Sequence, residues 1–540
     1  MLRNLIKRGI LAALIPVSCG FLGLLLLALA FLIPTERITR HVKQSVPMLL
    51  QETKYFSVTP GISGTLIDNF TEALYLNEAM VGTEDAGLWD CVLSSYRYDP
   101  PEGLNNPVST LSQVVSNPEQ TTLDNDFRRF FNGYLIAIKP LLLVTDYSGI
   151  RMLTMFFGLL LTALLIHLMY KRNLRQYILP VLISLFFIRP LSVMLCMTFF
   201  SFYVCMVVPC LLILWLKKET LMKNAWLLFG ITGAATFYFN MNYFQLLSFG
   251  MPMLFYFLVV GVPDRSFALF RTLLWYFVVW FVGYAGMMVF KWVAYAVFVD
   301  PRIITQMNSH FLFRASGDMG ERAFAVILNT TTGFENIWWD ILEILFIGYQ
   351  LVKWALNRLK QVYPNALFFL FLVMLLLPAG RCFILSNHTI IHYWVTYRLF
   401  MLPVLAFNLL LTKLSQTVSG ASETACSTSM AEETHQHVSR GFMTPPKHVN
   451  FEAKKLFGAV GEIMDGSIAY VTLKGGGPTE KHTHEHNHLF IVVKGEAKVL
   501  LGEEEVLIRQ DEAYLVQGSI PHSVWSNQDD ETVMIGISVR

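Results

Sequence analysis

Charge is what this 540-residue chain has least of: Asp, Glu, Lys and Arg make up 15% of it, while 54% is hydrophobic. Soluble domains carry about a quarter charged residues, so the deficit excludes an ordinary soluble protein. An excess of one sign is missing too, since the formal net charge is only +2, and no nucleic-acid partner is expected. Cysteine is scarce, with seven residues in all, and Cys19, Cys196, Cys205 and Cys210 lie within apolar runs. No paired spacing links them, which excludes a disulfide framework or a zinc ribbon. A long internal repeat is absent as well. What the chain does have is long apolar stretches such as Gly9 to Ile33 and Leu191 to Leu216. A bilayer span takes about 20 mostly apolar residues, so the chain is expected to be a polytopic membrane protein.

Charge sets the expected topology. Gly9 to Ile33 follows Arg3, Lys7 and Arg8 and is too long for a signal-peptide core, so 1–33 reads as a retained signal-anchor helix. Residues 34–149 are rich in Asp, Glu, Asn and Pro and read as an extracytoplasmic loop domain. A return span near Met152 to Tyr170 ends at Lys171, Arg172 and Arg175. Further spans near 178–195, 199–216, 225–243 and 246–262 follow, then others starting near Thr272, Ile341, Ala366 and Leu399. The basic loops keep falling on one side, and the positive-inside rule makes that side cytoplasmic. The expectation is a helical bundle over 150–412 with about ten spans in total, in a bacterial inner membrane with both termini cytoplasmic. Residues 413–448, dense in Ser, Thr, Ala and Glu, read as a flexible linker.

From about 449 the texture changes. Residues 451–540 hold 8 Lys and Arg against 14 Asp and Glu, whereas the rest of the chain is net positive. Short runs of β-branched and aromatic residues (Ser467 to Leu473, Leu489 to Val493, Ala497 to Leu501, Val506 to Ile508, Val533 to Val539) alternate with Gly, Pro and charge. Such spacing predicts a small all-β sandwich or barrel. Inside it His482, His484, His486 and His488 share parity. An extended strand rises about 3.3 Å per residue, which would hold the outer pair roughly 20 Å apart. Ligands about 2.1 Å from one ion cannot be so far apart. The chain must turn before His488, or only some of the four bind metal.

The string Gly476-Gly477-Pro478-Thr479-Glu480-Lys481-His482-Thr483-His484, with Gly495 and later Gly518-Ser519-Ile520-Pro521-His522, resembles the cupin superfamily over about ninety residues. Gly476, His482, His484 and Gly495 match the family's first motif in register, and His522 matches the His of the second apart from one extra residue after Gly518. His488 stands where the family motif has Glu. The resemblance therefore implies a divalent transition-metal site of histidines alone, His482, His484, His488 and His522, with His486 as a spare. A bare pocket with surface histidines is the other reading.

In the membrane part, Leu66, Phe70 and Leu74 repeat every four residues, placing Asp68 and Glu72 on one helical face. Asp68 is a candidate base or metal ligand, and Thr65-x-x-Asp68 is equally a helix-capping pattern. Asp124-Asn125-Asp126 is a D-x-D string of the kind that holds a divalent ion against a sugar-phosphate, which makes Asp126 a second acidic candidate. The stripe Phe127, Phe130, Phe131, Tyr134, Leu135, Ile138 fits a helix in the membrane interface or one packed on the bundle. Arg189, Lys291, Arg381 and Arg398 fall near extracytoplasmic span ends, where an anionic headgroup phosphate or snorkelling would account for them. His388 and His392 stack at i, i+4 if helical, which suits metal binding, phosphate contact or polar packing.

The segments Asn132 to Leu135, Lys139 to Leu142, Gly283 to Met287 and Asn387 to Trp394 resemble a group of bacterial multispanning proteins and, more distantly in layout, the GT-C glycosyltransferases. That layout implies transfer of a sugar from a polyprenyl phosphate, with Asp68 and Asp126 as the acidic candidates and Arg189, Arg381, His388, His392 and Arg398 holding the carrier phosphate. A transporter or flippase of lipid-linked material would call for broken helices or an internal repeat, neither of which the sequence displays. A third reading makes the β domain a metal or small-molecule sensor on a membrane platform.

Overall fold

The N-terminal thirty residues form one apolar helix, Leu2–Phe31, and after Pro34 a second, amphipathic helix follows, Thr35–Glu52. Ile38, Val42, Val46 and Leu49 of the latter recur at the three- and four-residue spacing of one helical face, and all four are buried. The computed structural model describes residues 2–62, 64–101, 106–125, 127–239, 243–263, 266–356, 365–425, 461–471, 483, 485–501, 504–528 and 530–539. Two compact units divide the chain: one comprises Met1–Leu356 and Gln361–Gln416, and the other consists mainly of Thr417–Arg540.

In the helical unit, strands β1 (Phe56–Ser57) and β2 (Leu66–Ile67) form a short antiparallel ladder that leads into the helix Asn69–Met80. Eleven of that helix's twelve residues are buried, among them Asn69, Glu72, Asn77 and Glu78. The polar segment is therefore not all surface loop, since its central helix lies within the unit's core. A second ladder pairs β3 (Arg97–Asp99) with β4 (Thr122–Asp124).

Six helices among the described residues are long and apolar enough to cross a membrane: Leu11–Phe31, Tyr147–Lys171, Met197–Trp215, Ser266–Phe298, Ala366–Ile384 and Tyr393–Ser415. That is fewer than the about ten expected, and the differences have local causes. The apolar stretch 178–195 is broken at Arg189, whose φ of 57° is left-handed, into Ile178–Phe187 and Pro190–Met194. Pro190 disfavours the α conformation in the residue before it, and a ten-residue helix rises only about 15 Å, half a bilayer core. Leu247–Val260 is also short, at 14 residues. Lys218–Phe239 and Ile337–Leu356 have the length of a span but include Lys218, Glu219 and Lys223, and Asp340, Glu343 and Lys353.

Glycine sets how closely the long helices approach. A Cβ on Gly283 would lie 2.1 Å from the Gly230 carbonyl oxygen, one on Gly233 2.0 Å from that of Trp280, and one on Gly286 2.5 Å from the Pro16 ring. Helices Lys218–Phe239 and Ser266–Phe298 thus meet backbone to backbone, and Leu2–Phe31 seats its Pro16 ring on Gly286, as small residues allow in membrane bundles.

In the second unit the described strands are all antiparallel. Strands β5 (Ile463–Val471), β6 (Asn487–Lys494), β9 (Glu512–Val516) and β11 (Thr532–Val539) form one sheet in the order β5-β11-β6-β9. β7 (Glu496–Leu501), β8 (Glu504–Arg509) and β10 (His522–Ser526) form the other, in the order β10-β7-β8. Val492, Val516 and Met534 of the first sheet cluster with Ala497, Val499, Ile508 and Val524 of the second. Strand alternation puts His488 and Phe490 on the same face of β6 as Val492, while Leu489 and Ile491 face the other way, against Ala513 and Val539. Gly495, at φ 85°, supplies the left-handed turn residue between β6 and β7.

Gly283→Ala is expected to lower the midpoint of unfolding in detergent by the equivalent of at least the about 1–3 kcal/mol typical of overpacking. Gly348→Ala, a helical position where a Cβ meets nothing within 4 Å, should leave the midpoint unchanged or raise it by the equivalent of about 0.5–1 kcal/mol. Equal midpoints for both variants would contradict the close approach.

Candidate functional site

The helix Asn69–Met80 gathers the buried acidic groups. Asp68 is its N-cap and accepts from the Thr71 amide at 3.1 Å and the Thr71 hydroxyl at 2.7 Å. Thr65 does not begin the helix; it precedes β2, and its hydroxyl donates to the carbonyls of Thr59 and Ile62. The Tyr243 hydroxyl also donates to Asp68, at 3.3 Å. Burial pushes the Asp68 carboxyl above the usual range, opposed by the bonds from Thr71 and Tyr243 and by the charge of Arg398.

Tyr243 connects Asp68 to the histidine segment. Its ring lies parallel to His388 at 6.3 Å between centroids and edge-on to His392 at 5.4 Å. The two imidazoles, four residues apart across the end of helix Ser386–Ile391, are 4.7 Å apart. Arg314 Nη1 lies 2.9 Å from His388 Nδ1, and Arg381 donates to the Thr389 hydroxyl at 3.0 Å. Burial, then the charges of Arg314 and Arg381, hold the His392 imidazole down at about 4. Asp68, Arg381, His388 and His392, far apart in sequence, thus belong to one neighbourhood together with Tyr243 and Arg314. The last two were not legible beforehand, because each is a single polar residue without a motif around it.

Arg398 and Arg189 lie beside this cluster, with most of their donors engaged by carbonyl oxygens. Arg398, fully buried, donates to Ile188 O at 3.0 Å, Gly64 O at 2.9 Å and the Ser192 hydroxyl at 2.9 Å, over the Phe199 ring. Arg189 donates to Phe187 O at 2.5 Å and Gly333 O at 2.9 Å and lies over Tyr397. Together they tie the broken helix to the β1–β2 loop and to the end of helix Met319–Gly333. Lys291 does not snorkel; it is fully buried and donates to Leu93 O at 2.7 Å.

The other carboxylates of the buried helix are committed to structure. Glu72 accepts from the Met197 amide at 3.2 Å and the Thr198 amide at 2.9 Å, so it caps the helix Met197–Trp215 from outside. Both of Glu78's oxygens accept from Asn132 at 2.9 Å, and Tyr134 donates to one of them at 2.6 Å. Lys139 closes the opposite end of the helix by donating to Ala79 O and Val81 O, and burial lowers its ammonium to about 8. Asp126 lies outside the described residues. Its neighbour Asp124 accepts from Arg97 at 2.6 Å across the β3–β4 ladder. In the aromatic stripe Phe130, Phe131, Tyr134, Leu135 and Ile138 are all buried, so the stripe packs into the core of the unit.

In the β unit, His482 and His484 lie outside the described residues. His488 begins the inward face of β6, opposite Ser538 of β11, whose hydroxyl is 3.0 Å from Nε2. His522, buried at the start of β10, engages Ile520 O through Nδ1 at 2.8 Å. That bond fixes the tautomer with the lone pair on Nε2, the usual arrangement of a metal-ligating imidazole. The rings of His488 and His522 are 5.9 Å apart, and those of His486 and His488 5.3 Å, separations that two imidazoles on one ion can adopt. Among the described residues no three His, Cys, Asp or Glu side chains converge on one point.

Residues 469–539 match the family model described as "Cupin domain". This part of the chain is a cupin domain. It is similar to a cupin-2 domain containing protein from Shewanella frigidimarina, at 17% identity over 14% of this chain and 69% of that one, with a TM-score of 0.12. A conserved protein of unknown function from Streptococcus pyogenes is similar at 14% identity over 19% of this chain and 96% of that one, with a TM-score of 0.13. No curated protein matches the chain. The cupin domain's strands β9 and β10 were not foreseen from sequence, since Glu512 to Val516 and His522 to Ser526 are short and mixed in polarity.

The depressed His392 imidazole makes stability depend on pH. The folded protein holds it neutral down to about 4, whereas the unfolded chain protonates it near pH 6.5. Its contribution is present above pH 6.5 and lost as pH falls toward 4. Melting curves from pH 7.5 to 5 should show a declining midpoint, with a shallower decline in His392→Gln; identical slopes would contradict the assignment.

Proposed function

We propose that the helical unit is a polytopic bacterial inner-membrane enzyme of the GT-C glycosyltransferase type, with about ten spans, both termini cytoplasmic, and residues 34–149 outside. The observation that carries this reading is the cluster in which a buried, basic-shifted Asp68 is joined through Tyr243 to His388 and His392, with Arg314 and Arg381 alongside. Asp68 takes the proton of an acceptor hydroxyl, whose oxygen then forms a bond to the anomeric carbon. The bond from that carbon to the polyprenyl phosphate breaks, and the departing phosphate is held by Arg381, His388 and His392. A carboxylate made more basic by burial suits general-base work, and the neighbouring guanidinium groups favour a phosphate over a metal cation at this place. Arg189 and Arg398 frame the site through their carbonyl contacts.

The break at Arg189 favours a second reading, transport or flipping of lipid-linked material, because interrupted helices are a transporter feature. Activity separates the two. In the full-length protein incubated with a panel of polyprenyl-phosphate sugars, Asp68→Asn should abolish transfer while lowering stability by no more than about 1 kcal/mol, since Asn also caps well. Full transfer by that variant would remove Asp68 from the reaction.

For the cupin domain the proposal is one divalent transition-metal ion held by His482, His484, His488 and His522, with His486 dispensable. When bound, the ion would supply a Lewis-acid or sensing centre, and imidazole donors suit Zn, Fe, Ni or Cu. Elemental analysis of full-length protein purified without chelator should find about one ion per chain, reduced strongly by His522→Ala and little by His486→Ala. Binding should weaken below about pH 6.5 as the imidazoles protonate. Equal losses from the two variants would contradict the assignment.

A further inference from the structure

Between the apolar helix Ser266–Phe298 and the helix Ile337–Leu356 the chain forms two helices that no apolar run announces, Ile303–Arg314 and Met319–Gly333. At 12 and 15 residues they rise only about 18 and 22 Å, too little to cross a bilayer core. Their polar contacts point inward. Gln306 accepts from Arg128 at 2.7 Å, and Arg314 meets His388. Ser386 donates to Ser316 O at 2.7 Å, and Asn387 to Phe313 O at 2.9 Å. Arg322 donates to Ala315 O and Phe383 O. The helix pair therefore rests on the His388 segment, next to the Asp68 cluster.

The outward face is of the opposite character. Phe311, Leu312, Phe313, Phe324, Ile327 and Phe334 are each about half exposed or more. The face continues, past the exposed Glu335, into Ile337, Trp338 and Ile341 of the following helix, all exposed. The other acidic residues of 300–335 stand at the margins: Asp300 pairs with Arg302 before the first helix, and Asp318 and Glu321 form a capping box at the turn between the two. A monomeric soluble surface rarely carries an apolar area of this extent. Its continuity with a helix that has the length of a span and an exposed apolar face identifies the occupant as lipid.

We propose that residues 303–334 form a cover over the Asp68–His388 cluster that lies in the membrane interface, with lipid acyl chains against its outer face and Arg314 turned in toward His388. An interfacial element of this kind buries its apolar side about 5–10 Å into the headgroup and acyl boundary. The polar residues Thr305, Asn308 and Ser309, exposed on the first helix, match that depth. The inference rests on the membrane reading of the helical unit and not on glycosyl transfer.

The test uses the full-length protein in phosphatidylcholine vesicles containing a phosphatidylcholine with a diazirine on its acyl chain, followed by peptide mapping after irradiation. Adducts are expected on Phe311 to Phe313 and on Phe324 to Phe334, at a yield within about threefold of that at Phe281, a half-exposed residue of helix Ser266–Phe298. Trp89, 60% exposed in the polar segment, should take none. Hydroxyl-radical oxidation in the same vesicles should modify Trp89 at least about tenfold faster than Met319 and Phe311. Oxidation of Met319 and Phe311 at the rate of Trp89, without acyl adducts, would overturn the proposal in favour of a water-exposed face. Protection from both reagents would overturn it in favour of a protein partner, and absence of adducts at Phe281 as well would overturn the membrane reading with it.

Discussion

A carboxylate taken out of water must find donors or lose its charge, and in the helical unit that requirement falls most heavily on one helix, with Glu343, met by Asn408, buried on another. Asn69–Met80 is surrounded by protein and has Asp68 at its N-cap and Glu72 and Glu78 along its length, all buried. Glu72 meets the requirement by capping Met197–Trp215, where two backbone amides and the positive end of the helix dipole await an acceptor. Glu78 meets it through Asn132 and Tyr134, which fixes the aromatic segment against the bundle. Lys139 supplies the complementary charge at the helix C-terminus. One helix thereby ties the N-terminal segment to distant parts of the chain, and the positions of Asp68 and Tyr243 follow from it.

The division of labour among the carboxylates is what gives the site its chemistry. Glu72 and Glu78 each accept at least three hydrogen bonds from groups that build the fold. Asp68 accepts from its own cap and from Tyr243, whose ring leads directly to the paired imidazoles and to Arg314. The arginines divide in the same way. Arg189 and Arg398 are bound largely to backbone carbonyls and hold the broken helix in place, whereas Arg314 and Arg381 face side chains of the histidine segment.

Periodicity carried the reading of the sequence as far as periodicity extends. Apolar runs announced the long helices, and short β-branched runs with the histidine string announced the cupin domain, because burial selects residue type over many consecutive positions. The convergence of Asp68, His388 and His392 was open to suspicion from residue chemistry, but Tyr243 and Arg314 were not, since their roles depend on contacts more than 70 residues away. The break at Arg189 is a backbone event that hydropathy does not register. The burial of Lys291 and of the Phe130 to Ile138 stripe was hidden for a related reason: a basic or aromatic residue near a span end reads alike whether it faces lipid, water or another helix.

The claim on which the helical unit depends is that Glu72 joins the buried helix to Met197–Trp215, and a double-mutant cycle measures that link directly. Unfolding of Glu72→Ala, Thr198→Ala and the double variant in detergent should give a coupling energy of about 1–3 kcal/mol, the range for hydrogen bonds to a charged group. Stability losses that add to within about 0.5 kcal/mol would show the two residues acting independently and would contradict the account.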